Sequence, residues 1–139
     1  MDTAKGNILM SENITTYPTD VLNDATGFLE QAYSMVCIIS GEGLEGFNQH
    51  KTEVKNAYFE VCTGLLRGAQ NLTTHDGLTK QLGQASAMID VISAHGTDNF
   101  NLHSSAIQDS YLAACLTVLK EAQDLSARLF EVELKVVNQ

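Results

Sequence analysis

Apolar residues along the chain recur at spacings of three and four, the mark of helices that each bury one face. Leu22, Ala25, Leu29, Ala32, Val36 and Ile39 form the first such stripe. Pro18 suits a first helical turn and places its start, with Asp20 and Asp24 set against the positive end of the helix dipole. The glycines between Ser40 and Gly43 predict its end, and Gly96 is the counterpart of Gly43. Val54, Tyr58, Val61 or Cys62, Leu65, Ala69 and Leu72 predict a second helix, and Asn71 to Gly77 a short polar connection. Leu78, Leu82, Ala85, Ile89 and Ile92 predict a third helix, ending near His95 and Gly96. The fourth has the longest seam: Ile107, Tyr111, Ala114, Val118, Ala122, Leu125, Leu129, Val132 and Val136. In this reading Asn48 and Asn101 are N-caps of the second and fourth helices, with Phe47 and Phe100 as hydrophobic staples before them.

The stripes are written twice. Residues 31–50 align without a gap with residues 84–103 at a shift of 53, and over residues 21–72 seventeen positions are identical. They include Phe47/Phe100, Asn48/Asn101, His50/His103, Tyr58/Tyr111 and Cys62/Cys115. A single two-helix hairpin cannot bury its apolar face alone, so two tandem hairpins are expected to close on each other. The predicted fold is all-α: an antiparallel four-helix bundle with pseudo-two-fold symmetry. Repeat 1 covers about 21–73 and repeat 2 about 74–126. A helical extension, 127–139, follows them, and residues 1–17 are expected to form a loose arm ahead of the single domain at 18–139. Matched positions read as scaffold. Pairs that differ, such as Tyr33/Ser86, Cys37/Asp90, Glu42/His95 and Glu60/Ala113, are where a task could reside.

Charge narrows the partners. The net charge is −9, and the eight Lys and Arg never cluster. A phosphate-binding stripe is therefore missing, which argues against nucleic acid and against an anionic membrane surface. No segment approaches the about 20 apolar residues of a membrane span. Near the N-terminus the apolar run Ile8 to Met10 is too short for a secretory signal core. The three cysteines lie within apolar helical patterns and read as small buried hydrophobes in a reducing compartment, the cytoplasm.

The chemistry-bearing residues form no catalytic constellation. His50 and His103 are equivalent, but both fall at a helix start. No Glu-x-x-His or Cys-x-x-Cys occurs, so neither a di-iron nor a zinc site is expected, and no cofactor. Histidine phosphotransfer domains are similar in fold class. Their accepting histidine is mid-helix, however, followed by Lys and Gly, whereas His50 precedes Lys51-Thr52-Glu53-Val54. Gly41 to Gly46 carries two Glu that would repel a phosphate.

The sequence therefore predicts a non-enzymatic binding or regulatory protein, acting through helical surfaces on a protein partner or as a homodimer. Leu129, Phe130, Val132, Leu134, Val136 and Val137 in the unduplicated extension are the candidate interface, unless Ile8, Leu9, Met10 and Ile14 fold back over them. The alternative is a small apolar ligand held between the hairpins by Tyr58, Cys62, Tyr111 and Cys115. A phosphotransfer role ranks last.

Overall fold

The computed structural model describes the backbone of residues 2–94 and 97–138 and the side chains of residues 20–93 and 99–132. Within these the chain is all-helical, with six helices: α1 Asp2–Ile39, α2 Gly43–Asn48, α3 Thr52–Leu72, α4 Asp76–Ala94, α5 Thr97–Asn101 and α6 Ser105–Asn138. Helix α1 packs on α3 and α6, and α4 packs on the same two. The short α2 and α5 sit at one end of this arrangement, α2 against α1 and α6 and α5 against α4 and α3. The α1 backbone extends back through Pro18 to Asp2, where the loose arm was expected. Ala4, Lys5, Leu9, Met10 and Glu12 are good helix formers, and a proline interrupts the hydrogen bonding only locally. Ile8, Leu9, Met10 and Ile14 lie outside the described side chains.

Two of the four predicted stripes are buried as read. Leu22, Ala25, Leu29, Ala32, Val36 and Ile39 of α1, and Leu78, Leu82, Ala85, Ile89 and Ile92 of α4, are all in the core. On α3 and α6 the buried line is rotated by one residue. It runs Lys55, Phe59, Cys62, Leu66, Ala69 on α3 and Gln108, Leu112, Cys115, Leu119, Ala122, Ser126 on α6. The expected residues Tyr58, Leu65, Tyr111, Val118, Leu125 and Leu129 are half-buried on its flank, while Val54, Val61, Ile107, Ala114 and Val132 are exposed. Both lines have helical spacing, and the inner one is disguised because it begins with Lys55 or Gln108 and ends, in α6, with Ser126.

A hydrogen bond explains why Ser126 can be inside. Thr26 Oγ1 donates to the Leu22 carbonyl, so the Ser126 hydroxyl is the donor in the contact that joins Thr26 and Ser126 between α1 and α6. A buried hydroxyl so paired avoids a desolvation cost of about 1–3 kcal/mol. Phe59 is the hub of an edge-to-face aromatic cluster, with ring centroids 5.4 Å from Phe47, 6.4 Å from Tyr58 and 6.3 Å from Phe100. Each such pair contributes about 0.5–1.5 kcal/mol beyond the area it buries.

Candidate functional site

The end of the molecule that carries α2 and α5 gathers most of the features the stripes do not account for. Gly41 takes φ +57° after the last turn of α1, a left-handed conformation that glycine adopts without strain. Its N–H donates to Asp109 Oδ1 on α6 at 2.7 Å. Gly43 then passes so close to the Ile38 carbonyl that any side chain there would collide with it. The segment 43–48 is a helical turn of its own because Leu44 and Phe47, three apart, both point into the core.

Asn48 is therefore not the N-cap of the following helix. It is the last residue of α2, and α3 starts at Thr52 after Lys51, which gives no side-chain cap. Asn101 likewise ends α5, and the cap of α6 is Ser104, whose Oγ accepts from the Ile107 N–H at 3.3 Å. The Asn48 side chain is used inward instead. Its Nδ2 donates to Gln108 Oε1 at 2.7 Å, and Gln108 Nε2 donates to the Phe100 carbonyl at 2.8 Å. The 53-residue shift maps the pair Asn48 and Gln108 onto Asn101 and Lys55. Lys55 is only 4% exposed, and Oδ1 of both Asn48 and Asn101 is buried without a donor.

Between the end of α4, α5 and the start of α6 lies an apolar cleft of about 150 Å³. Val91, Ile92, Phe100, Ile107 and Tyr111 line it, with Asn99 and His103 at its polar edge. Val91 and Ile107 are 56% and 55% exposed. Leu102, beside the cleft, is 83% exposed. The Tyr111 hydroxyl donates to the Met88 carbonyl at 2.5 Å, which leaves its ring as the wall. Four of these positions, Ile92, Phe100, His103 and Tyr111, are identical in the first repeat: Ile39, Phe47, His50 and Tyr58. An open depression nearby is lined by Glu42, Glu45 and Asp109 together with Gly41, Leu44, Ser105 and Ala106.

The remaining predicted residues are placed as follows. Cys62 and Cys115 are fully buried, and burial pushes each thiol up to about 12. The Tyr58 hydroxyl, pushed up to about 12 by burial and by nearby Cys62, donates to the Met35 carbonyl at 2.6 Å; burial also raises Tyr111. These four residues are thus brought into one region, but only Tyr111 faces either cleft described above. Cys37 is exposed, contrary to the expectation of three buried thiols. His50 and His103 are exposed in the turns before α3 and α6, one step outside the helices where they were expected. Asp90 forms an exposed ion pair with Arg67, tying α4 to α3. Leu129 and Phe130 pack on the core, Val132 is exposed, and Leu134, Val136 and Val137 lie outside the described side chains, as do His95 and Gly96.

Among the described residues no group of His, Cys, Asp and Glu is arranged to hold a metal ion, and no helix is long and apolar enough to cross a membrane. The α4–α5–α6 cleft went unpredicted, although the ten residues 99–108 contain no Asp, Glu, Lys or Arg and could have marked it. Comparison with protein families, curated proteins and solved structures finds no match to the chain.

Proposed function

We propose that the chain is a non-enzymatic binding module, a four-helix bundle of two duplicated hairpins that offers an apolar helical surface to a protein partner or to a second copy. The observation that carries this is the α4–α5–α6 cleft with its exposed rim of Val91, Leu102 and Ile107. Apolar surface grouped in this way is characteristic of docking sites, whereas single exposed apolar residues need no explanation. The 53-residue identities and the pairing of α1 and α4 each with α3 and α6 support the duplicated bundle. Three unpaired thiols suit the reducing cytoplasm.

Size favours a protein partner over a small ligand. Small-molecule sites occupy roughly 300–1,000 Å³. At about 150 Å³ the cleft suits one protruding side chain better than a whole ligand. A ligand between the hairpins would have to separate Cys62 from Cys115, both fully buried.

Nile red, an uncharged apolar dye, tests the reading without electrostatic bias. It should brighten and shift to the blue on the wild-type chain and lose most of that response with Ile107→Asp. Ile107 is half exposed, so the fold survives the exchange. An unchanged response in Ile107→Asp, or none in the wild type, would remove the cleft as a binding surface.

A further inference from the structure

We propose that the occupant of the α4–α5–α6 cleft is Leu102 of a second copy of this chain, in a dimer with two-fold symmetry. The inference rests on the binding reading above and names its partner. A two-fold contact uses one patch twice, so that patch must carry both a projection and the hollow that receives it. Here they are adjacent. Leu102 is 83% exposed in the turn after α5, and the hollow formed by Val91, Phe100, Ile107 and Tyr111 lies beside it. A leucine side chain fits the size of that hollow and finds mostly apolar walls, with Asn99 and His103 at the edge.

Charge leaves this face open to a second copy. Each chain carries a net charge of −9, so two copies repel unless they meet where neither is charged. Residues 99–108 supply that surface, since they hold no Asp, Glu, Lys or Arg. The centres of protein interfaces are depleted of charge in the same way.

The first repeat serves as an internal control. Its matching segment, 46–55, keeps Lys51, Glu53 and Lys55 where the second repeat has Ser104, Ala106 and Gln108. It also has Gln49 in place of Leu102 and Val54 in place of Ile107. Both repeats keep the residues that build the end of a hairpin. Only the second lacks charge and carries a projecting leucine; Ser104 caps α6 and Gln108 bonds Asn48, but folding does not explain the leucine, because Leu102 touches little of its own chain.

Sedimentation velocity on the full chain, from about 1 µM to about 1 mM, tests the dimer. The wild type should rise from 15.1 kDa toward twice that mass. Leu102→Gln, which installs the residue found at the matching position, should raise the dissociation constant about 100-fold or more, because two leucine contacts are lost per dimer. Val61→Gln, an exposed apolar site on the α3 flank, should leave association unchanged. A wild type that stays monomeric to about 1 mM overturns the proposal, as does a Leu102→Gln variant that dimerises as tightly as the wild type. Nile red separates this failure from failure of the binding reading. A monomer that still binds the dye through Ile107 keeps the docking surface and loses only the second copy.

Discussion

Lys55→Gln isolates the inner polar layer at the α2 and α5 end. In the second repeat Gln108 links two elements: its Oε1 accepts from Asn48 and its Nε2 donates to the Phe100 carbonyl. Under the 53-residue correspondence, glutamine in place of Lys55 would face Asn101 and the Phe47 carbonyl. Asn101 Nδ2 would then gain the amide acceptor that Asn48 Nδ2 has in Gln108, worth about 1 kcal/mol, while Oδ1 of both asparagines stays buried without a donor. A second hydrogen bond to the Phe47 carbonyl adds about 1 kcal/mol. Shorter reach and lost methylene packing offset part of this. A net gain of about 1 kcal/mol is expected, which for a chain of this size raises Tm by about 3–4 °C. Urea unfolding at pH 7 measures it. Gln108→Lys should cost at least about 2 kcal/mol, because it deprives Asn48 Nδ2 of its acceptor, and the double exchange should return near the wild type. A lowered Tm in Lys55→Gln, or an unchanged one in Gln108→Lys, would refute the correspondence.

Two further predictions concern other sites. With Cys62 and Cys115 pushed up to about 12 from an ordinary 9.0, the unfolded chain loses thiol protons between pH 9 and 12 that the folded chain keeps. Stability should therefore be level below about pH 8 and fall above pH 9, by of order 1 kcal/mol per thiol per pH unit in alkaline urea titrations. A thiol reagent near neutral pH should label Cys37 alone in the native chain, and all three cysteines after denaturation. Gly43→Ala should cost more than about 2 kcal/mol, because the new methyl group meets the Ile38 carbonyl rather than a movable side chain. Gly46→Ala, helical with open space around it, should gain about 0.5–1 kcal/mol; thermal denaturation of the pair checks both.

The helical content and the faces of α1 and α4 were legible because their buried positions are uniformly apolar. On α3 and α6 the same rule mixed two neighbouring lines: Cys62, Ala69 and Ala122 are buried as read, and the other described positions lie on the flank or the open side. Lys55, Gln108 and Ser126 are polar residues on the buried side, and Val54, Ile107 and Val132 are apolar residues on the open side. Periodicity registers residue type, and it cannot register the Asn48–Gln108 or Thr26–Ser126 hydrogen bonds that make burial of a polar group tolerable. Asn48 and Asn101 looked like caps for a related reason: asparagine at a helix boundary has two uses, and only the position of the partner helix distinguishes them. The cleft was hidden because its walls come from three elements, while its clearest sequence trace is the missing charge between Asn99 and Gln108.

The contact between Thr26 and Ser126 joins residues 100 positions apart, whereas each hairpin's Tyr58–Met35 or Tyr111–Met88 link spans only 23. Closing the longer loop costs more chain entropy, so the α1–α6 seam is expected to form after the α1–α3 and α4–α6 contacts. Weakening it by Ser126→Ala should leave the refolding rate nearly unchanged and speed unfolding instead. The hydroxyl pair then acts as the latch that sets how long the folded molecule lasts, more than how quickly it forms.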